Sequence, residues 1–371
     1  MDRPLKIAIV GCGLIGPRHA EAVLARPDTE LVALVDPFPR AQAVAAELGT
    51  AYYASIAAML AAGVMPDAAV VATSNATHVP VAAELAAAGV HLLVEKPLSP
   101  WPADCKALME HVERCGVKML VGHHRRFNPY IEAARASLGR IGTLVGVSGT
   151  WCLRKNPEYF AQAPWRCDRA AGGGALLINL VHDVDLLQYL CGPIVRVYAE
   201  AVPKQRPEFD VDEGAALTLR FASGAVGTFL CADNANSAYN FESGTGENVL
   251  IAQDPLCAGF YRLFGTDGAL SVPDMTLQHQ PATPAETKGW WTPLERESVA
   301  DAEALAGVPF QLQLGHLVRV VRGEEEPRCT AADGMAALLV IEAVVRSLET
   351  GTPQAVTAVA AVEANTAALN R

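Results

Sequence analysis

The chain has no excess of positive charge: 29 lysines and arginines stand against 40 aspartates and glutamates, a formal net charge of −11. That balance offers no broad attraction to nucleic-acid phosphate or to an anionic membrane, so neither is expected as a partner. No C-x-x-C pair occurs among the nine cysteines, which lie singly at 12, 105, 115, 152, 167, 191, 231, 257 and 329. Their scatter and odd number argue against a disulfide framework and a structural zinc, and read as reduced thiols. Nor does any uninterrupted apolar run reach the roughly 18 to 20 residues that a membrane-spanning helix needs. A soluble, cytoplasmic protein without a metal is expected.

What is present is apolar mass. Of 371 residues 51% are hydrophobic, enough for two ordinary domains with cores of their own. Apolar runs at 5–10, 30–35, 68–72, 90–94 and 117–121 read as strands, and they alternate with helical stretches at 14–26, 79–88 and 102–115. Such alternation predicts a mostly parallel sheet covered on both faces, with ligands bound at the carboxyl ends of its strands.

The first strand runs into Gly11-Cys12-Gly13-Leu14-Ile15-Gly16. G-x-G-x-x-G alone is a weak motif, but one that follows a strand and opens a helix is the Rossmann dinucleotide fingerprint. Gly11 permits the turn, Gly13 lets the backbone approach a pyrophosphate, and Gly16 allows close packing, with Leu14 and Ile15 completing the loop against the cofactor. Asp36 stands twenty residues after Gly16, at the end of the second strand, where a carboxylate can accept the adenosine ribose hydroxyls. It would repel a ribose phosphate, so NAD is the expected cofactor; Arg40 nearby leaves NADP open. A capping role for Asp36 is the structural alternative.

Beyond residue 122 the grammar changes. A helix is expected over 129–138, an extended run over 141–151 and a helix over 175–190, followed by extended runs at 193–202, 214–221 and 224–231. Ser223-Gly224 and Asp267-Gly268 read as hairpin turns, the second between 259–264 and 269–272. The run 331–349 reads as a long helix and the alanine-rich terminus as another. The expected fold class is therefore α/β, an N-terminal Rossmann domain over 1–122 and a C-terminal α+β domain over 123–371 built on a mostly antiparallel open sheet. Terminal helices pack back on the first domain, and the open sheet face suits a homodimer or homotetramer.

Gly11 to Gly16, then Glu95-Lys96-Pro97, then Gly172-Gly173-Gly174 with His182 and Asp185, together resemble the glucose-fructose oxidoreductase / inositol dehydrogenase / MocA family. The order of these motifs covers nearly the whole chain. The resemblance implies a dehydrogenase of sugars, inositols or related alcohols, and fixes reaction class better than substrate. It makes Lys96, at the end of a strand, the first choice for stabilising the reacting oxygen, with Glu95 and Pro97 restraining the backbone and a cis Pro97 bond compatible with that position. In VVATSNATH, at 70–78, it points to cofactor contacts by Thr73, Asn75 and His78, although a polar loop and helix cap use the same side chains.

GHHRRFNP at 122–129 concentrates two imidazoles and two guanidiniums. Arg125, ahead of Arg126, is the candidate for orienting a hydroxylated ligand, and a salt-bridge cluster is the alternative. Trp165 and Arg166 resemble a family segment close to cofactor and substrate; a surface stack would use them equally well. In the following helix Asn179, His182 and Asp183 share one side by their spacing, as do His182 and Asp185. Many family members carry an aspartate four residues before this histidine, where this chain has Ile178. His182 is then the group left to move a proton, oriented by Asp183 or Asp185, with Asn179 and Asp183 binding substrate. A buried structural histidine is the alternative. Two other functions stay open: a dinucleotide-binding regulator without chemistry, and an enzyme that uses tightly bound NAD transiently for epimerisation, elimination or internal oxidoreduction.

Overall fold

The computed structural model describes residues 3–281 and 289–359. The expected terminal alanine-rich helix lies outside the described residues. Two compact units result, one comprising Met1–His124, Val308–Leu338 and Val359–Arg371, the other Arg125–Gly307 and Leu339–Ala358.

The first unit contains strands β1 (Leu5–Val10), β2 (Thr29–Val35), β3 (Ala51–Tyr53), β4 (Ala68–Val71), β5 (His91–Val94) and β6 (Met119–Val121). They pair in the order β3-β2-β1-β4-β5-β6, every pair parallel. β4 is buried at all four positions, as a strand covered on both faces must be. Helices α1 (Gly16–Leu24), α2 (Arg40–Glu47), α3 (Ile56–Ala61), α4 (His78–Ala87) and α5 (Pro102–Cys115) connect them. α2, β3 and α3 are additions to the elements read from the sequence.

In the second unit α6 (Pro129–Ser137), β7 (Leu144–Cys152), α7 (Pro157–Ala161) and α8 (Val181–Cys191) precede β8 (Ile194–Ala201), β9 (Gly214–Phe221) and β10 (Val226–Ala232). α9 (Phe241–Thr245), β11 (Tyr261–Gly265), β12 (Gly268–Val272), β13 (Thr276–His279) and β14 (Glu295–Ser298) follow. With β15 (Gln354–Ala355) they form a sheet in the order β14-β13-β12-β11-β7-β10-β9-β8-β15. Both expected hairpins are present, β9 with β10 and β11 with β12. All neighbours run antiparallel except β7 and β10, which are parallel. β10 alternates exposed and buried residues along Val226–Cys231, the pattern of a sheet with one open face.

Two boundaries differ from expectation. Gly142, at φ 75°, ends a 3-10 turn at Ile141, so the strand expected from 141 begins at Leu144. The helix expected over 175–190 opens with a π-helical turn, Leu176–Leu180, before α8. One wide turn changes which residues share a face, so Asn179 does not follow the α-helical repeat that placed it beside His182 and Asp183.

α10 (Pro309–Val321) and α11 (Ala331–Thr350) follow β14, and the division between the units falls within α11. Ala20 and Val23 of α1 share one core with Ile7, Ile9, Val70 and Leu93 of the sheet and with Phe310, Leu314 and Leu317 of α10. Each of the valine, isoleucine, leucine and phenylalanine side chains in it contributes about 1.5–3 kcal/mol on burial.

Candidate functional site

The glycine loop explains two of its three glycines by internal packing. Gly11 has φ 101°, and a Cβ there would lie 2.5 Å from the carbonyl oxygen of Ala72; a Cβ on Gly16 would lie 2.0 Å from that of Gly11. Gly13 is different, for a Cβ there meets nothing within 4 Å. The chain itself does not use the bare space over Gly13, as a position kept open for the diphosphate of a dinucleotide requires. Leu14 beside it is 49% exposed.

Asp36 is buried at the end of β2 and accepts the amide of Cys12 through Oδ2 at 2.7 Å and that of Phe38 through Oδ1 at 2.8 Å. Pro39, not Asp36, stands at the N-cap of α2. Two amides leave two of the four lone-pair directions of a carboxylate for ribose hydroxyls. The Arg40 guanidinium lies 5.4 Å from the Phe38 ring centre.

After β4, Thr73 lies against the same loop: its amide nitrogen would be 2.7 Å from a Cβ on Gly11. Its buried hydroxyl makes no hydrogen bond among the described residues, so an acceptor or donor from a ligand fits there. Asn75 is buried in a 3-10 turn. His78 is also buried, with Nδ1 2.8 Å from Pro97 O and Nε2 3.1 Å from Thr73 O. Burial holds this imidazole below its usual range, so it is neutral and carries one N–H for the two carbonyls. Both nitrogens face backbone, and the ring ties the loop after β4 to the loop after β5.

That second loop carries Glu95, Lys96 and a cis Lys96–Pro97 bond. Glu95 Oε1 lies 2.7 Å from Nε2 of His19 on α1. Burial drives this carboxyl upward, yet the hydrogen bond and charge of His19, with His124 and Lys96, outweigh it and hold Glu95 at about 2. Lys96 itself is only partly buried.

In the second unit both arginines of the RRF segment are buried and engaged. Arg125 Nη2 donates to Glu242 Oε1 at 2.6 Å and Nε to Glu247 Oε1 at 2.9 Å, with the guanidinium 4.4 Å from the Phe241 ring centre. Arg126 binds both oxygens of Asp185, at 2.6 to 3.1 Å. Asp183 accepts the hydroxyl of Tyr261, and Trp151 Nε1 donates to Glu242 Oε2 at 2.8 Å. Burial pushes Asp183 up to about 7; Arg125 and Tyr261 pull it down, while Glu242 and Glu247 work against them. Asn179 accepts Lys155 Nζ through Oδ1 at 2.5 Å. Arg166 is buried and donates to Tyr159 O, its guanidinium 3.9 Å from the Tyr159 ring centre and 5.9 Å from that of Trp165. Gly173 is required by this packing, since a Cβ there would lie 2.5 Å from Arg166 O. His182 is buried on α8.

The family description "Oxidoreductase family, NAD-binding Rossmann fold" matches residues 5–123, and "GFO/IDH/MocA C-terminal domain" matches residues 133–271. This chain belongs to the Gfo/Idh/MocA family. It is 27% identical to the rhizopine catabolism protein MocA of Rhizobium meliloti, over 91% of this chain and 93% of that protein. It is 28% identical to the scyllo-inositol 2-dehydrogenase (NAD(+)) of Bacillus subtilis strain 168, over 95% of this chain and 96% of that one. Among solved structures, the WlbA dehydrogenase of Bordetella pertussis in complex with NADH and UDP-GlcNAcA matches with a TM-score of 0.80 and 26% identity, over 96% of this chain and 99% of that one.

As a Gfo/Idh/MocA protein the chain is an NAD-binding oxidoreductase. Several residues that engage the candidate side chains within each unit carry no local signal singled out above: His19 in the first unit, and Lys155, Tyr261, Glu242 and Glu247 in the second. His19, three residues after Gly16, lies on α1 where the motif leads directly into the helix, and that spacing was a usable signal. The others meet partners from 24 to 122 positions away, which no local pattern reports. Among the described residues no group of three His, Cys, Asp or Glu converges to hold a metal ion, and no helix is long and apolar enough to cross a membrane.

Proposed function

We propose that this protein is an NAD-dependent dehydrogenase acting on a secondary alcohol carbon of a sugar, cyclitol or related cyclic diol. The observation that carries the reading is the unfilled space over Gly13 beside Asp36 and the Thr73 hydroxyl, in a chain similar over 95% of its length to a scyllo-inositol 2-dehydrogenase. The first unit holds NAD and the second the substrate. Gly11 to Gly16, Thr73 and Asn75 face the diphosphate side and Asp36 the adenosine ribose, with Arg40 at its edge; the Asp36 carboxylate disfavours a ribose phosphate. NAD, when bound, supplies the hydride acceptor. The Lys96 ammonium stabilises the oxygen of the alcohol or carbonyl, and His182 takes or returns its proton. Trp165, Arg166, Asn179 and Asp183 shape the substrate side.

Purified protein mixed with NAD and a panel of inositols, aldoses and cyclic diols should form NADH with at least one of them. Ile178, unable to accept a proton, motivates a second reading: NAD bound without chemistry, or reduced and reoxidised within one turnover. NAD binding by calorimetry with no product in any panel member would replace the dehydrogenase with the regulator. Product without net NADH would select the internal redox cycle.

We also infer that the open face of the second sheet pairs with another copy, as a homodimer or homotetramer. Val226, Leu230 and Phe264, from β10 and β11, are 46%, 40% and 43% exposed there. Solvent-exposed apolar clusters of this kind mark contact surfaces. Light scattering that gives a monomer mass at micromolar concentration would overturn the assembly.

A further inference from the structure

We propose that the second unit recognises an oxoanion, a carboxylate or phosphate carried by the substrate, in a cavity walled by Arg154, Lys155 and Arg206. This rests on the dehydrogenase reading and narrows its substrate class to acidic sugars or cyclitols. The cavity holds about 810 Å³ and lies wholly within that unit, with Phe160 and Asn234 also on its wall. A hydroxylated six-membered ring with one acidic group fits such a volume, because small-ligand pockets run to about 300–1,000 Å³.

The charges on this wall are unevenly matched. Lys155 and Arg206 are 7% and 15% exposed, and both lean on the same buried carboxylate, Asp233, from behind. Glu213, the other acid beside Arg206, already accepts the amides of Gln205 and Arg206 at 2.9 and 2.7 Å and the Asn234 side chain at 2.7 Å. Neither Asp233 nor Glu213 lines the cavity; Glu208 is the one carboxylate on its wall, against three cations. Two donors are unspent. Arg206 Nε is buried without a hydrogen-bond partner, and the exposed Arg154 makes no hydrogen bond or ion pair among the described residues. Planar guanidinium donors match a carboxylate or phosphate edge, and a cation already desolvated by Phe160, 4.5 Å from the Arg206 guanidinium, has less hydration to lose when an anion arrives.

The cavity also connects to the chemistry. Lys155 is hydrogen-bonded to Asn179, three residues before His182, so an anion on this wall bears on the segment that leads to the proposed proton-transfer group.

The test uses the intact protein with NAD and matched probes: D-glucose against D-glucuronate for the carboxylate arm, and D-glucose against glucose 6-phosphate and myo-inositol against its 1-phosphate for the phosphate arm. Calorimetry should show one acidic probe binding about tenfold or more tighter than its neutral partner, and Arg154→Met should weaken that probe by about tenfold, with Arg154→Lys recovering part of the loss. Equal binding of neutral and acidic partners, no binding of any acidic probe, or an unchanged affinity in Arg154→Met would each overturn the site. Tight, Arg154-dependent binding with no NADH from these probes or from any member of the wider panel keeps the oxoanion site and removes the dehydrogenase reading. NADH from the neutral sugars alone does the reverse.

Discussion

The hydroxyl of Tyr261 on β11 donates to Oδ1 of Asp183 on α8, and the other oxygen of that acid makes no hydrogen bond among the described residues. Arg125 is the nearby cation, but Glu242 and Glu247 already claim it, so Asp183 is buried without a counter-charge of its own.

A carboxyl raised to about 7 by burial favours the folded state in its protonated form. Its stabilisation is complete below the ordinary pKa near 4 and is lost as pH rises through about 7, at up to about 1.4 kcal/mol per pH unit. Asp183→Asn keeps an acceptor for Tyr261 and removes the titration. Urea midpoints at pH 5 and pH 8 should therefore differ less in Asp183→Asn than in the parent protein; parallel shifts in the two would show that Asp183 is ionised throughout.

Glu95 has the opposite sign. Held at about 2, it contributes stability above its usual range and loses it as pH falls from about 4.5 toward 2. Glu95→Gln leaves His19 facing an amide in a buried site and should cost roughly 3 kcal/mol at pH 7. The gap between parent and variant in chemical denaturation should narrow below pH 4.5. A gap that stays constant down to pH 3.5 contradicts the ion-pair account.

Asp36→Ser should weaken the discrimination between NAD and NADP, because it removes the charge that opposes a ribose phosphate. Dissociation constants for both dinucleotides, measured with parent and variant, decide it. A parent protein that already prefers NADP rules the assignment out.

Lys96→Met and His182→Ala should each remain folded and keep much of their NAD affinity, yet lose roughly 10² to 10⁴ in turnover. Single-turnover rates across neutral pH separate the two roles. Near-normal rates in His182→Ala would remove that residue from proton transfer even if Lys96 kept its place.

Legibility in the sequence followed the range over which each feature is encoded. β1, β4 and β5 announced themselves as apolar runs, and both hairpins by their turn residues, since strand and turn are local properties. β14, ERES, is exposed at all four positions and has no apolar alternation to detect. α10 begins Phe310, Leu312, Leu314, a period of two that imitates a strand until the packing against α1 resolves it as a helix. The same division holds around the site. Gly11, Gly13, Gly16 and Asp36 were readable from spacing because one strand-helix-strand unit carries them all, whereas Lys155 with Asn179, and Tyr261 with Asp183, meet only through the tertiary fold.

The late return of Val308–Leu338 to the first unit sets the order in which that unit can be finished during synthesis. When His124 leaves the ribosome all six parallel strands have been made, but Ala20 and Val23 of α1 still lack Phe310, Leu314 and Leu317. At about 5–20 residues per second the missing helix emerges roughly 10 to 40 s later, after the whole second sheet as far as β14. For that interval the nascent chain shows an uncovered apolar stripe to every chaperone and every neighbouring chain. A fragment cut at residue 124 would show it permanently.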